Sequence, residues 1–474
     1  MSNDAVASRS TADPTSVDEP PSLSPCNGAP APAAGQSWFP KGSALVKATD
    51  WNDWRWQMRH RIRSVDRLAE MFPELGISEG LRAAAARFPL AITPYYASLI
   101  DQCSTMDPVF SMSVPNGREI WNPPFLRDDP LEEDRDMPVP GLIHRYPDRA
   151  LVIATTACAM YCRHCTRKRV TSSRESRISE TRLRRSVAYL RSNPGIKDVI
   201  ISGGDPLTLP TDALEEIVKA IRSVPSVEII RIGTRTPVTL PMRITDELVA
   251  MLQKYHPLWV NTHFNHPVEL TADAARACGR LVDAGIPTGN QAVLLKGVND
   301  DIEVMERLLR GLIRIRVRPY YLFQCDLVPG VEHFRTPLSK GIEIMEALRG
   351  RMSGLGIPDF VLDVPHGGGK VPLLPQYVVS ASPTHTVLRN FEGMLVSYPE
   401  PYAEDMGTSP LRPFAGPARV CDLLSGQSSV IRPHSTERHN RRRLSAPQQR
   451  TRPERGRQVG MITGDITSTR DRNA

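Results

Sequence analysis

Three cysteines lie close enough together in the sequence to bind one inorganic cluster. Cys158, Cys162 and Cys165 form a C-x3-C-x2-C pattern. Three thiolates can ligate three irons of a [4Fe–4S] cube and leave the fourth iron open to a small molecule that carries an amino and a carboxylate group. Such an iron can pass an electron to S-adenosylmethionine, which then breaks into methionine and a 5′-deoxyadenosyl radical. A structural zinc with His164 as fourth ligand is the alternative, but closed zinc sites usually combine two separate ligand pairs, and the sequence offers no second pair.

A second motif could bring a backbone turn and a carboxylate to the same small molecule. The segment Ser202-Gly203-Gly204-Asp205-Pro206 has two adjacent glycines followed by an acid. Glycines let a ligand approach the backbone closely, and the carboxylate can meet an amino group. A plain turn without a ligand is the alternative interpretation.

A lysine behind three glycines, in Gly367-Gly368-Gly369-Lys370, is a candidate for covalent chemistry. A flexible arm that delivers an amine suits a Schiff base with pyridoxal phosphate, whereas an exposed turn lysine is the alternative. An ATPase phosphate loop is disfavoured because Val371 follows the lysine where Ser or Thr would stand. Arg145 and Arg149 offer two guanidiniums for a phosphate. Because Arg149 lies nine residues before the first clustered cysteine, we expect both arginines to enter the same barrel mouth.

Strands alternating with helices must position these motifs. Helical patterns follow hydroxyl residues suited to an N-cap, Ser179 in one case and Thr211 in another. Repeated βα units imply a parallel sheet, and six in succession imply an open or closed barrel whose chemistry collects at the carboxyl ends of the strands. The predicted strands are Leu151–Thr155, Val199–Ser202, Ile229–Gly233, Leu258–Thr262, Ala292–Leu295 and Tyr320–Phe323, with a further strand-like run at Phe360–Leu362.

Composition divides the 474-residue chain into five predicted regions. Both ends are rich in Pro, Ser or Arg and cannot bury enough apolar surface to order themselves. The regions are a disordered tail (1–40), an N-terminal helical region (41–145), the barrel with its lysine (146–375), a C-terminal extension packing on the core (376–410) and a disordered Arg-rich tail (411–474).

The charge distribution and the hydropathy of the chain argue against nucleic-acid binding, membrane insertion and secretion. Residues 403–474 hold 13 Arg and 7 acidic residues and so supply most of the net charge of +7. The rest of the chain has no basic bias, so a nucleic-acid partner is not expected and a zinc-dependent RNA-binding protein is only a remote alternative. No apolar run approaches the ~20 residues of a membrane span, and a secretory pattern is missing. We therefore expect a cytoplasmic protein without a membrane partner.

The motifs, in this order, resemble the lysine 2,3-aminomutase family, which consists of radical S-adenosylmethionine enzymes that also depend on pyridoxal phosphate. The resemblance extends from about residue 51 to about residue 401 and implies a partial (β/α)6-type radical S-adenosylmethionine barrel with an N-terminal helical region and disordered tails. Besides the motifs above, it rests on Thr166-Arg167-Lys168-Arg169, Arg318-Pro319-Tyr320-Tyr321, Gln324-Cys325-Asp326 and His333-Phe334-Arg335-Thr336-Pro337.

The resemblance also implies a role for each matching residue. Cys158, Cys162 and Cys165 would ligate the [4Fe–4S] cluster. Lys370 would hold pyridoxal phosphate covalently. The phosphate of that cofactor would be bound by Arg145, Tyr146 and Arg149, and S-adenosylmethionine by Gly203, Gly204, Asp205, Gln291 and His164. The substrate carboxylate would be bound by Arg167, and the distant cationic end of the substrate by Asp326 and Asp363.

The implied reaction moves the α-amino group of L-lysine to the β-carbon and gives β-lysine. The deoxyadenosyl radical removes a β-hydrogen, nitrogen migrates through a three-membered ring and the hydrogen returns, so S-adenosylmethionine is regenerated. Two aspartates select a basic side chain, whereas a glutamate-specific relative would need a cation or an amide there. Arginine 2,3-aminomutase, giving β-arginine for antibiotic biosynthesis, is the nearest alternative.

The chain departs from the clostridial type of this family in its cysteines. That type has a cysteine-rich C-terminal segment that binds zinc between subunits, but beyond Pro401 this chain has only Cys421. Asp301 also stands where that type has a cysteine after Gly297-Val298-Asn299-Asp300. We therefore predict a homo-oligomer without the interfacial zinc. The other expected partners are a small basic amino acid and an external one-electron reductant of the flavodoxin or ferredoxin type.

Overall fold

A computed structural model describes residues 46–73, 76–101, 107–171, 175–381, 385–399 and 441. The two tails predicted to be disordered lie outside the described residues, apart from Arg441. The helices are α1 (Ala48–Trp51), α2 (Trp54–Arg59), α3 (Val65–Met71), α4 (Glu79–Arg87), α5 (Pro94–Ala97), α6 (Pro108–Ser113), α7 (Lys168–Thr171), α8 (Glu180–Ser192), α9 (Thr211–Arg222), α10 (Thr236–Thr239), α11 (Asp246–Gln253), α12 (Ala272–Asp283), α13 (Ile302–Arg314) and α14 (Leu338–Leu348).

A nine-stranded sheet, with its strands in sequence order, forms the barrel. Strands β2 to β8 are parallel, and β1 and β9 pair antiparallel at the two edges. The strands are β1 (Leu142–Tyr146), β2 (Arg149–Thr155), β3 (Asp198–Gly203), β4 (Ile229–Gly233), β5 (Leu258–Thr262), β6 (Thr288–Leu294), β7 (Arg318–Gln324), β8 (Asp359–Val364) and β9 (Gly369–Pro372). A separate antiparallel sheet follows, made of β10 (Val378–Ala381), β11 (His385–Arg389) and β12 (Leu395–Pro399).

A side chain links the two edge strands of the barrel. The backbone N–H of Lys370, on β9, donates to the hydroxyl of Tyr146, on β1, at 2.9 Å. Gly369 lies directly against the same ring, where a Cβ would come within 3.1 Å of the hydroxyl. The barrel is thus nearly closed, and the candidate lysine stands at its closing point.

Two apolar cores hold the barrel. One lies between the first half of the sheet and helices α8, α9 and α11, and it includes Leu190, Val218 and Ile230. The other joins the N-terminal helices to α12, α13 and α14, so that Leu68 and Leu308 belong to the same cluster. The N-terminal region therefore shares its core with the second half of the barrel. No helix in the described part of the chain combines the length and the apolar content needed to cross a bilayer.

The predicted strands all appear, and those at Ile229–Gly233 and Leu258–Thr262 have the predicted bounds. The sixth strand begins at Thr288, four residues before the predicted start at Ala292. Its first half is polar, so the apolar pattern of the sequence does not indicate a strand there. Asn290 can be buried there because its side chain donates to the carbonyl of Phe264 at 3.0 Å and accepts from the same residue's N–H at 2.7 Å.

One of the two predicted helix caps is confirmed and the other is wrong. The hydroxyl of Ser179 accepts a hydrogen bond from the N–H of Arg182 at 3.3 Å, at the start of α8. Thr211 is instead the first residue of α9, and Pro210 occupies the N-cap position without any side-chain bond. A residue that already lies in the helix cannot cap it, because an N-cap needs an extended backbone, which Pro210 provides with ψ 150°.

Substituting Ser179→Ala should lower the free energy of unfolding by about 1 kcal/mol, because one N–H at the start of α8 loses its acceptor. Urea unfolding followed by circular dichroism measures this difference. Ser179→Asp is the matched control, since its carboxylate can accept the same bond. An alanine variant as stable as the aspartate variant would contradict the cap.

Candidate active site

A cavity of about 340 Å³ lies inside the barrel. Its wall contains every residue to which the sequence assigned a role. These are Arg145, Tyr146, Arg149, Cys158, Cys162, His164, Cys165, Arg167, Gly203, Gly204, Asp205, Gln291, Asp326, Asp363 and Lys370.

The cysteine pattern forms the loop between β2 and α7, and the N-terminal region holds this loop in place. The N–H of Tyr161 donates to the carbonyl of Ala91 at 3.0 Å, and that of Arg163 donates to Met112 at 2.9 Å. The Arg163 guanidinium is buried and donates to both carboxylate oxygens of Glu119, at 2.9 and 2.6 Å. A bidentate charge pair of this kind fixes geometry as well as charge.

Gly203 and Gly204 line the cavity, and each lies against protein backbone on the side where a side chain would project. A Cβ on Gly203 would collide with the carbonyl of Thr155, and one on Gly204 with the carbonyl of Ala157. Gly203 also has φ +121°, which disfavours other residues. The two glycines thus let the end of β3 pack against the start of the cysteine loop.

The Asp205 carboxylate holds the loop after β4. It accepts hydrogen bonds from the hydroxyl of Thr234 at 2.6 Å, from the N–H of Arg235 at 2.7 Å and from the N–H of Leu207 at 3.1 Å. Burial raises the pKa of Asp205, and these donors oppose the rise. Both carboxylate oxygens therefore already have protein partners.

Lys370 and Asp363 form an ion pair inside the cavity. The ammonium nitrogen lies 2.8 Å from Oδ2 of Asp363 and 5.3 Å from the centre of the Phe323 ring. The other oxygen, Oδ1, is buried without a hydrogen-bond partner. An orphaned buried acceptor carries a free-energy cost that a ligand's N–H group would remove.

Asp326 is the second acid at this end of the cavity. Its Oδ2 accepts a hydrogen bond from the hydroxyl of Thr166 at 2.5 Å. Burial raises the pKa of Asp326 to about 7; the Thr166 bond and the Lys370 charge oppose the rise, whereas the negative charge of Asp363 adds to it. Burial therefore favours the neutral form of this carboxyl group more than it would be favoured in water.

The arginines proposed for phosphate also have acidic partners. Arg145 donates from Nε to Asp136 at 3.0 Å, and Arg149 donates to Asp148 at 3.0 Å while its guanidinium stacks over the Tyr146 ring at 4.8 Å. These contacts hold the guanidiniums against the cavity wall.

Arg149 lines the same cavity as the cysteines but lies at the opposite end of β2 from them. Arg149 begins the seven-residue strand β2, whereas Cys158 follows its carboxyl end. A strand of this length separates the two ends by roughly 20 Å. The cavity therefore extends along the strands, with the arginines toward one end and the cysteines toward the other.

Arg167, predicted to bind the substrate carboxylate, makes a close ion pair with Glu133. Its Nε and NH2 groups donate to Glu133 at distances between 2.7 and 3.2 Å. Although burial alone would raise it, Arg167 and Arg169 together bring the pKa of Glu133 down to about 2. Glu133 leaves the NH1 group of Arg167 as the donor for a ligand.

The sequence is similar to known aminomutases along most of its length. It is 48% identical over 401 residues to the L-lysine 2,3-aminomutase of Acetoanaerobium sticklandii, covering 84% of this chain and 97% of that protein. It is 49% identical to the L-lysine 2,3-aminomutase of Clostridium subterminale, over 84% of this chain and 96% of that protein. The Radical SAM superfamily profile matches residues 152–309, and the Lysine-2,3-aminomutase profile matches residues 345–458. The chain belongs to the lysine 2,3-aminomutase family.

The family also includes enzymes named for a different substrate. The chain is 45% identical to the glutamate 2,3-aminomutase of Clostridioides difficile, over 75% of this chain and 85% of that protein. Overall sequence identity therefore does not tell whether an enzyme of this family acts on a basic or an acidic amino acid. The side chains that line the cavity must be compared with the charge of the substrate instead.

Members of the lysine 2,3-aminomutase family use a [4Fe–4S] cluster, S-adenosylmethionine and pyridoxal phosphate, and these are the cofactors of this chain. The cysteine loop fits the cluster. Burial raises the pKa of Cys158 and Cys165, the latter to about 11, and the neighbouring thiols add to both shifts. Ionisation of these half-buried thiols needs a cationic centre beside them. The C-x3-C-x2-C pattern on one loop offers one thiolate to each of three irons of a [4Fe–4S] cube.

The rest of the cavity fits the two organic cofactors of the family. The Lys370 amine faces it, and Arg145, Tyr146 and Arg149 line the same wall. Nδ1 of His164 is buried without a partner, which is the kind of polar atom that a bound ligand satisfies.

Sequence reasoning missed two residues that contact the predicted site. Glu133, the partner of Arg167, lies in the acidic stretch Leu131-Glu132-Glu133-Asp134-Arg135-Asp136, whose charge complements the arginines after the cysteines. Arg235 donates to the sulfur of Cys162 and follows the end of β4 by two residues. The rule that chemistry collects at strand ends, applied to every strand, would have found Arg235.

Substituting Gly204→Ala should sharply reduce the iron and sulfide bound per chain after anaerobic reconstitution, because the added Cβ collides with the backbone of the cysteine loop. Gly354→Ala is the matched control, since no atom lies within 4 Å of a Cβ at that position. Iron content equal in both variants would contradict the packing role of Gly204.

Proposed function

We propose that the chain moves the α-amino group of L-lysine to the β-carbon and produces β-lysine. The observation that carries this proposal is the pair of acids, Asp326 and Asp363, in a cavity that also contains the lysine expected to hold pyridoxal phosphate. The lysine 2,3-aminomutases among the relatives are consistent with it.

The electrostatics of the two acids favour a cationic side chain. The negative charge of Asp363 raises the free energy of the ionised form of Asp326, and the unpartnered Oδ1 of Asp363 calls for a hydrogen-bond donor. A substrate ammonium supplies both the charge and the donors. A glutamate carboxylate would instead add a third negative charge, so these acids argue against the glutamate specificity named for one relative.

The other end of the substrate needs a cation. We propose that NH1 of Arg167 binds the substrate carboxylate while Glu133 holds the rest of the guanidinium in place. With a cation at one end and two acids at the other, the cavity would orient an extended basic amino acid along its length.

The cofactors supply the difficult chemistry: the cluster and S-adenosylmethionine generate a radical that removes a β-hydrogen, and pyridoxal phosphate carries the migrating nitrogen. The protein binds, orients and excludes water. We propose Cys158, Cys162 and Cys165 for the cluster, and Lys370 for covalent attachment of pyridoxal phosphate. The proposed ligands of the organic groups are Arg145, Tyr146 and Arg149 for the phosphate, and Gly203, Gly204, Asp205, Gln291 and His164 for S-adenosylmethionine. Aromatic wall residues such as Phe323 keep the reacting carbon apart from water.

The arginine alternative is not favoured. Two acids suit a guanidinium as well as an ammonium, but the relatives described above are named for lysine and glutamate. Antibiotic biosynthesis stays a prediction from the sequence, since none of these relatives bears on it.

The proposal extends to the location, the reductant, the assembly and the structural divisions of the enzyme. We propose a cytoplasmic enzyme, reduced by an external flavodoxin or ferredoxin and assembled as a homo-oligomer without an interfacial zinc. We also propose that the five regions defined by composition are its structural divisions, with one correction: the barrel predicted at 146–375 begins earlier, at Leu142, because β1 (Leu142–Tyr146) belongs to its sheet. The strongly reducing chemistry and the reduced cysteines support this location.

The reconstituted enzyme should convert L-lysine to β-lysine and leave L-glutamate unchanged, as measured by chromatography of the products at pH 8. Replacing Asp326 or Asp363 with Asn should lower kcat/KM for lysine roughly 30-fold to 1000-fold, because each substitution removes a charge partner of the substrate ammonium. This factor corresponds to a loss of about 2 to 4 kcal/mol of transition-state stabilisation.

Glu343→Gln is the matched control for these variants, since it removes an exposed acid on α14. Both aspartate variants should still bind a full cluster. Turnover of lysine at the wild-type rate in both of them would place the side-chain pocket elsewhere.

The pKa of Asp326 predicts a pH dependence. Because the ionised carboxylate attracts the substrate ammonium, kcat/KM for lysine should rise with pH through an apparent pKa of about 7. A pH profile from 6 to 9 checks this.

Two variants distinguish Asp326 from other titrating groups. Thr166→Val should move the midpoint to higher pH, because the hydroxyl of Thr166 stabilises the ionised carboxylate. Asp326→Asn should abolish the rise. If the same rise persisted in the asparagine variant, another group would be responsible.

A further inference from the structure

A buried arginine contacts the sulfur of one predicted cluster ligand. NH1 of Arg235 lies 2.9 Å from Sγ of Cys162. Arg235 follows the end of β4 and its side chain is 8% exposed. The contact joins the loop after the third parallel strand to the loop after the first.

The rest of the guanidinium is fixed by other partners. Its Nε donates to the carbonyl of His263 at 3.1 Å, and its NH2 donates to Glu269 at 2.7 Å and to the Tyr96 hydroxyl at 3.1 Å. The N–H of Arg235 is in turn held by Asp205. With both its backbone and its far end held, the guanidinium cannot turn away from the sulfur without breaking these bonds.

The acid in this network is equally fixed. Glu269 is fully buried and accepts from the N–H groups of Asn265 and His266, at 2.6 and 3.0 Å, and from Tyr96 at 2.7 Å. A buried ion pair adds little stability over apolar packing, so its presence calls for another explanation. The contact with the sulfur provides one, because it needs a cation that is itself neutralised on its far side.

We propose that Arg235 sets the reduction potential of the [4Fe–4S] cluster by donating to the Cys162 thiolate, with Glu269 and Tyr96 as positioning residues. A donor and a positive charge beside a cluster sulfur withdraw electron density and stabilise the reduced form. The potential therefore lies higher than it would with the three thiolates alone, within reach of an external one-electron reductant. This inference rests on the proposed ligation of the cluster by Cys162.

Substituting Arg235→Gln removes the charge and should lower the midpoint potential of the cluster. We expect at least a tenfold lower ratio of reduced to oxidised cluster at a given solution potential, which corresponds to about 59 mV for a one-electron couple. Anaerobic redox titration of the reconstituted enzyme, followed by electron paramagnetic resonance, measures this shift. Arg235→Lys keeps the charge and should show a smaller shift.

The double variant Arg235→Gln/Glu269→Gln guards against misfolding from an unpaired buried acid. It should bind a full complement of iron and show the lowered potential. Arg61→Lys is the matched control, because Arg61 donates to the carbonyl of Cys158 and not to a sulfur. Its potential should equal that of the wild type.

Three outcomes separate the possibilities. A wild-type potential in an iron-loaded Arg235→Gln or double variant would overturn the tuning role and leave the proposed function intact. Loss of iron from both variants, with circular dichroism unchanged, would also overturn it, because Arg235 would then serve cluster assembly. Full iron in Cys162→Ala would instead refute the ligand assignment on which both proposals rest.

Discussion

Charged side chains inside the barrel require opposite charges, because burial removes the water that would otherwise solvate them. The cavity pairs are Arg145–Asp136, Arg167–Glu133, Arg235–Glu269 and Lys370–Asp363. Two of these acids, Glu133 and Asp136, belong to the segment before β1. The N-terminal region therefore supplies counter-charges to the barrel as well as apolar surface.

The same requirement explains how the cysteine loop is held. The loop lies at the end of β2, where Gly203 and Gly204 bring the next strand close to it. On the other side, the buried pair of Arg163 and Glu119 ties it to the N-terminal region. Backbone packing and charge pairing thus fix the loop from opposite directions, so three thiols can be brought together although burial raises the pKa of Cys158 and Cys165.

Much of the fold and of the site was predictable because the signals are local. Strands β4 and β5 are short apolar runs, and the cysteine pattern and Lys370 are contiguous motifs. The start of β6 was missed because Asn290 is polar, and its burial is possible only through bonds to Phe264 that the sequence does not show. The partners of Arg167 and Arg235 were missed for a similar reason, since each lies 34 positions away along the chain.

The ion pair between Lys370 and Asp363 places a cation of the protein where the proposed function expects a cation of the substrate. While the amine is a free ammonium, it neutralises the carboxylate 2.8 Å away, and an incoming basic side chain finds that position taken. If Lys370 holds pyridoxal phosphate, as proposed, its nitrogen would no longer be a free ammonium beside Asp363. The protein thus carries its own cation at the position proposed for the cationic end of the substrate.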